Sequence, residues 1–325
     1  MKKNKLIYSL CALMLTSALV FTSCKKKKAF KNEDGQSSTD NRNVQTENDN
    51  ATNEINTEVG NNTLLHGRSS NTSGINALHN VLGITATGYS VDATNAAMGS
   101  IQINYDGTTI SNRTRTGSIK LTIQNYPTKK WKDVGCILKV DYLGYKVTRA
   151  SDGKSVELNG TQNITNESGG SWWELLWLKT QTSLATSVTG SNLNVTFEDG
   201  KTAVYNINRK FTYTLPAGIL TCTGEGIGSS DGLSSLENYG TTRDGDAFTS
   251  QVSTPIVWNW TCGWWAPTQG AVDIKVADKE FSLKVTFSVD KDGNSVAAPA
   301  NSCSYGWKVE WTHKKKTNKK VFGYQ

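Results

Sequence analysis

The sequence predicts a mainly β fold of antiparallel strands, sandwich-like or an extended stack of hairpins, on three observations. First, apolar residues alternate with polar ones at period two. Ile101, Ile103 and Tyr105 fall on one face and Gln102 and Asn104 on the other. Second, Asx-Gly pairs punctuate the chain at Asp106-Gly107, Asp152-Gly153, Asn159-Gly160, Asp199-Gly200 and Asp292-Gly293, supplying the positive φ that tight hairpins demand. Third, Gly 29, Trp 10 and Tyr 11 stand against Pro 5 in 325 residues, a composition of turns and aromatic-packed strands.

Taken in order, strands are expected at Ile101-Ile103-Tyr105, Ile119-Leu121-Ile123, Cys136-Leu138-Val140-Tyr142, Leu193-Val195-Phe197, Val272-Ile274-Val276 and Phe281-Leu283-Val285-Phe287. Beyond the first 23 residues no run of ten or more shows a convincing 3.6-residue period, although Ser171 to Thr180 is apolar enough to read either way.

The first 23 residues describe an export signal. Lys2, Lys3 and Lys5 precede an apolar run from Leu6 to Phe21, too short to span a bilayer comfortably, and small residues lead to Cys24. Val20-Phe21-Thr22-Ser23-Cys24 resembles the lipobox of bacterial lipoproteins, with Phe21 where leucine is usual. The resemblance implies cleavage before Cys24 and lipidation of its thiol. Loss of residues 1–23 takes the net charge from +7 to +4, too mild and scattered to argue for nucleic acid.

Residues 24–73 read as a lipid anchor followed by a disordered tether. Five lysines between Lys25 and Lys31 could lie against anionic head groups. From Asn32 to Ser73 the chain is nearly all Asn, Thr, Ser, Gly and acidic residues, with Val44, Ile55 and Val59 isolated among them. Such a stretch is expected to bury no core and to hold the domain at 74–325, with its basic C-terminal tail, some tens of ångströms from the lipid.

Export places Cys136, Cys222, Cys262 and Cys303 in an oxidising compartment, where an even number invites disulfides. No pair has C-x-x-C spacing. Of the three pairings, Cys262 with Cys303 is favoured because both flank strand-like segments of the C-terminal region; buried free thiols are the alternative.

The order of segments is itself informative. Gly99-x-Ile101-x-Ile103-x-Tyr105-x-Gly107, then Arg113-Thr114-Arg115-Thr116-Gly117-x-Ile119, Leu158-Asn159-Gly160-Thr161 with Thr165-Asn166, Phe197-x-Asp199-Gly200-Lys201, Asn208-Arg209, and Thr254-Pro255-Ile256 before Cys262 are similar to an uncharacterised family of Bacteroidetes-type lipoproteins. The likeness covers roughly residues 97–290. It implies an envelope-anchored β protein and supplies no chemistry. The family commonly has a Gly- and Asp-rich turn before its last cysteine, where this chain has the Ala- and Pro-containing stretch from Asn294 to Ser302.

No catalytic site is evident. Gly228-Ser229-Ser230-Asp231-Gly232 matches a nucleophile elbow, with Asp273 and His313 in suitable order, but that elbow needs a buried parallel strand before it and a helix after it. Asp290-x-Asp292-Gly293-Asn294 resembles the start of a calcium loop, yet Ser295 and Asn301 replace its glycine and glutamate, and a hairpin turn explains the same residues. His66 and His79 fall in or just beyond the tether, so neither a metal nor a cofactor is expected. Glu174, Glu225, Asp231, Asp244 and Asp246 are the carboxylates near aromatic or glycine-rich segments that a glycan hydrolase would draw on.

Tryptophans are the most suggestive feature. Trp258 and Trp260 alternate, Trp264-Trp265 follow across Cys262-Gly263, and Trp172-Trp173, Trp177, Trp307 and Trp311 form further groups. Exposed indoles would stack on sugar rings; buried ones would fill a core. The expectation is a non-enzymatic lipoprotein, held at the outer membrane through Cys24 on its periplasmic face or at the cell surface, with binding or structural duty towards envelope proteins. A carbohydrate-binding module using Trp258, Trp260, Trp264 and Trp265 is the alternative.

Overall fold

A computed structural model describes residues 32–67, 88–110, 112–172, 174–262, 266–277, 280–297, 303–313 and 315–324. Helices α1 (Asn32–Asn61) and α2 (Thr63–His66) come first. Fifteen strands follow: β1 (Tyr89–Asp92), β2 (Ser100–Ile110), β3 (Arg113–Ile123), β4 (Cys136–Arg149), β5 (Ser155–Asn166), β6 (Ser183–Phe197), β7 (Thr202–Thr214), β8 (Thr221–Gly226), β9 (Gly228–Ser230), β10 (Leu233–Thr241), β11 (Ala247–Asn259), β12 (Gln269–Val276), β13 (Phe281–Val289), β14 (Gly306–His313) and β15 (Lys316–Gly323).

All fifteen belong to one antiparallel sheet. Sequential hairpins run from β1 to β7 and from β10 to β15. Between β7 and β11 the position is shared: β10 pairs with one half of each, β8 with the other half, and β9 extends β10 as a short hairpin. The six predicted strands lie within β2, β3, β4, β6, β12 and β13. Their apolar residues face the core, with Ile103, Ile119, Leu121, Leu138, Val140, Leu193 and Val195 at 0% exposure. Outward positions such as Gln102, Lys120, Lys139, Asp141, Asn163 and Thr165 are polar. A lipid-facing barrel has the opposite polarity.

A crease bends the sheet. Register shifts at Asp106/Thr109, Thr116/Ser118, Tyr142/Tyr145, Asn159/Gln162 and Gly190/Leu193 fall on successive strands from β2 to β6, and bulges of this kind curl a strand and increase its twist. At its centre Gly117 (φ +82°) leaves no room for a side chain, since an added Cβ would stand 2.0 Å from the Gly144 carbonyl oxygen. The Asx-Gly pairs consequently divide. Asp152-Gly153, Asp199-Gly200 and Asp292-Gly293 close turns, whereas Asp106-Gly107 and Asn159-Gly160 lie inside β2 and β5 at this crease. Positive φ serves a bulge as well as a turn.

The largest correction concerns the tether. Residues 32–61 form a 30-residue helix, and Val44, Ala51, Ile55 and Val59 are at most 1% exposed within the main core cluster. Spaced by seven, four and four, these residues fall within about 80° on a helical wheel at 100° per residue. An Asn/Thr/Gly-rich segment has poor intrinsic helicity; its order comes from the sheet that surrounds it.

Candidate functional site

The concave face of the curled sheet is the candidate site, and α1 lies in it. At the N-terminal end, Asp40 of α1 reaches Arg243 in the turn between β10 and β11, while Glu47 reaches Arg113 at the start of β3. Beyond the C-terminal end, the Leu65 carbonyl accepts a 2.8 Å bond from the Trp131 amide in the β3–β4 connection. The helix thus runs from the end of the sheet with tight turns to the end with long loops. Two to five residues close each hairpin at the first end and six to sixteen at the second.

Polar pairs fix the helix along its length. Arg243 donates to Asp40 at 2.6 and 2.7 Å and also reaches Glu198 and Asp199. Arg113 donates to Glu47 at 2.9 Å, Arg209 pairs with Asp49, and Arg115 donates to Glu54 at 2.6 Å. Tyr105 and Tyr89 donate to Glu54 and Glu58 respectively, each at 2.7 Å. Asn48 donates to Gln162 and Tyr142, and Gln45 donates at 2.6 Å to Glu237, which also accepts from Ser250. Arg42 lies over the Trp307 ring. At 100° per residue these contacts radiate over about two-thirds of a turn, leaving Asn53 exposed on the remaining side.

Charge matches across this seam. α1 carries seven carboxylates and one arginine, and four arginines of the sheet side meet four of those carboxylates. Burial pushes the carboxyls of Asp40, Glu54 and Glu237 above their usual range, against the pull of Arg243, Arg115 and Arg209. The match is incomplete: the side-chain oxygens of Asn41, Thr52 and Asn56, the Arg115 Nε and the Tyr145 hydroxyl are buried with no hydrogen-bond partner. Each such group weakens the seam, because a buried polar atom left unpaired costs about 1–3 kcal/mol.

Among the described residues singled out from sequence, Cys262 meets Cys303, Asp244 and Asp246 share a turn, and the others lie on separate elements. Trp258 is half-buried against the main core, over Gly224, where an added Cβ would stand 2.8 Å from the indole ring. Trp260 is half-buried against a second cluster of Trp172, Leu175, Leu184 and Leu220. Each indole thus keeps a partly exposed surface while resting on a different cluster. Trp264, Trp265 and Cys24 lie outside the described residues. Cys262 and Cys303 are joined as a disulfide, while Cys136 and Cys222 are buried free thiols.

The elbow-like Gly228–Gly232 segment is the β9–β10 hairpin, turning at Asp231 (φ 51°) and Gly232 (φ 77°). The Asp290 carboxylate accepts from the amides of Asp292 and Asn294 and from the Asn294 side chain, as a hairpin turn does. Glu174, Glu225 and Asp231 lie in the β5–β6 loop, on β8 and in the β9–β10 turn. Asp244 and Asp246 share the β10–β11 turn, where Asp244 pairs with Lys201. Among the described residues no group of three or more His, Cys, Asp or Glu stands close enough to hold a metal.

Sequence reasoning missed the concave seat altogether, although the Val44-Ala51-Ile55-Val59 spacing was there to find. The chain matches no protein-family description, no curated protein and no solved structure.

Proposed function

We propose that this chain is a non-catalytic lipoprotein of the bacterial outer membrane, related to the Bacteroidetes-type family it resembles, lipidated at Cys24 and serving a binding or structural duty in the envelope. The observation that carries the reading is the order Lys2 to Lys5, Leu6 to Phe21, Ser23-Cys24, which is the pattern of an export signal ending at a modifiable thiol. The polar outward face of the sheet is consistent with it, since a domain of that surface needs a covalent lipid to stay at a membrane. The scattered carboxylates favour no hydrolytic centre.

The position of α1 changes what such an anchor would do. Asn32 follows Cys24 by eight residues, a reach of at most about 28 Å at ~3.5 Å per residue. With α1 seated, the domain is held close to the bilayer rather than on a fifty-residue leash. The β-sheet end with tight turns, from which the N-terminal part of α1 emerges, would then face the lipid.

The test is intact-mass analysis of protein purified from membranes, alongside detergent phase partition of the wild type and Cys24→Ala. The expected product begins at Cys24 with the added mass of acyl chains and partitions into detergent, while the variant stays aqueous. An unmodified sulfur at Cys24, or a variant that still partitions with detergent, overturns the reading.

A further inference from the structure

We propose that the concave face of the sheet is a receptor for an acidic amphipathic helix, that α1 is its resident ligand, and that a partner protein presenting a helix of the same pattern takes its place. Three observations converge on this. α1 contributes no strand and reaches β1 only through α2 and the stretch after it, so the strand pairing that shapes its seat does not depend on it. Recognition is chemical and specific. Val44, Ala51, Ile55 and Val59 supply one apolar stripe, and Asp40, Glu47, Asp49 and Glu54 meet Arg243, Arg113, Arg209 and Arg115.

The fit of α1 is also imperfect. The Arg115 Nε and the Tyr145 hydroxyl, from a side chain at 0% exposure, remain unpartnered in the seat, facing a helix whose own Thr52 and Asn56 oxygens are unpartnered too. A ligand helix with acceptors placed for these donors binds better than α1 does. Because α1 has little helicity of its own, it folds as it binds, and such segments exchange readily with competitors.

Displacement has a mechanical result. A seated α1 occupies about 45 Å as helix, whereas its 30 residues extended span about 100 Å. A partner helix that ejects α1 therefore lengthens the leash and frees the domain from the bilayer surface. Only this consequence depends on the anchor at Cys24; the receptor itself does not.

The experiment uses the chain without its signal, carrying Cys24→Ala and a protease site inserted among residues 68–87. After cutting, a fluorescent peptide of residues 32–61 is added and anisotropy followed, with near-ultraviolet circular dichroism reporting the fold. The expected results are exchange of the labelled peptide into the cut protein and displacement by a designed helix that keeps only the four apolar and four acidic positions. A peptide with Asp40→Lys, Asp49→Lys and Glu54→Lys, which sets like charge against Arg243, Arg209 and Arg115, is expected to bind at least tenfold more weakly. Loss of the fold on cutting, retention of the fragment without exchange, or binding indifferent to these charge reversals overturns the proposal. Detergent partition of the uncut wild type separately reports the anchor, so the two readings fail independently.

Discussion

Arg243 grips Asp40 with two parallel bonds, Nε to Oδ2 at 2.6 Å and Nη2 to Oδ1 at 2.7 Å, across 203 residues of sequence. Asp40 is 3% exposed at its side chain and the Arg243 guanidinium 7%, with Phe197 beneath it at 3.9 Å. Removing one partner of such a pair leaves an uncompensated charge, at a cost of about 3–5 kcal/mol. Arg243→Ala is therefore expected to lower the urea midpoint sharply, and adding Asp40→Asn should recover part of the loss. An Arg243→Ala midpoint equal to that of the wild type would show that the pair contributes nothing.

The seated helix makes a prediction that no tether could. Ile55 is at 0% exposure in the main cluster, while Asn53, two residues away, is exposed. Ile55→Ala is expected to cost about 2–5 kcal/mol through lost contacts and a residual cavity. Asn53→Ala should change stability by less than about 0.5 kcal/mol. Hydrogen exchange of residues 44–59 is the complementary readout, slow in the wild type and faster in Ile55→Ala. Fast exchange throughout this stretch in the wild type would remove α1 from the fold.

How far the sequence discloses the molecule depends on the range of the forces involved. The strands were legible because alternation such as Ile101-Ile103-Tyr105 is a local record of one buried face. Hairpin against bulge was not, because Asn159-Gly160 supplies the same positive φ to either, and only the neighbouring strand decides. α1 was hidden for a stronger reason. Four apolar residues in thirty fall below what local patterning can announce, and the groups that make its carboxylates acceptable inside, Arg113, Arg115, Arg209 and Arg243, lie 61 to 203 residues away. The tryptophans were ambiguous because an indole that fills a core and one that stacks on a sugar are spelled identically.

The crease rests on glycine, and one substitution tests it. Gly117→Ala would set a Cβ 2.0 Å from the Gly144 carbonyl oxygen at a φ of +82°, a backbone clash with no flexible side chain to yield. Gly153→Ala has a similar φ of +71° with nothing within 4 Å, so it should cost only the left-handed penalty of about 1–2 kcal/mol. Gly117→Ala is expected to be the more damaging by at least about 2 kcal/mol in chemical denaturation. A smaller effect at Gly117 than at Gly153 would mean that the two strands do not approach as closely as described.

Thiol chemistry separates the four cysteines of the β domain. Cys136 and Cys222 are buried free thiols, and burial pushes them up, Cys136 to about 11, which leaves almost no reactive thiolate at neutral pH. In a Cys24→Ala protein lacking the signal, a thiol reagent is expected to find no reactive group natively and two per chain in guanidinium. Prior reduction should raise the denatured count to four. Reduction should also lower stability by about 4 kcal/mol on the chain-entropy model, because the Cys262–Cys303 bond spans 41 residues. Four thiols in unreduced, denatured protein would exclude that bond.

Acid should tighten the buried part of the seam. Glu237, at 3% exposure beside Arg209, has its carboxyl raised above the usual range by burial, so the folded chain holds this proton to higher pH than the unfolded chain does. Stability then falls as pH rises from the ordinary glutamate value, about 4.3, through the raised one, and is level above it. Asp40 and Glu54 are shifted the same way for the same reason, whereas Asp152, Glu167 and Asp290 are shifted down by their hydrogen-bond partners and lose stability as pH falls. Whole-protein curves mix the two groups, and Glu237→Gln isolates one. The stability of the wild type relative to Glu237→Gln is expected to increase between pH 7 and pH 4. A difference that shrinks on acidification would place the Glu237 carboxyl below its ordinary value and make its pairing with Arg209, rather than its burial, the dominant influence.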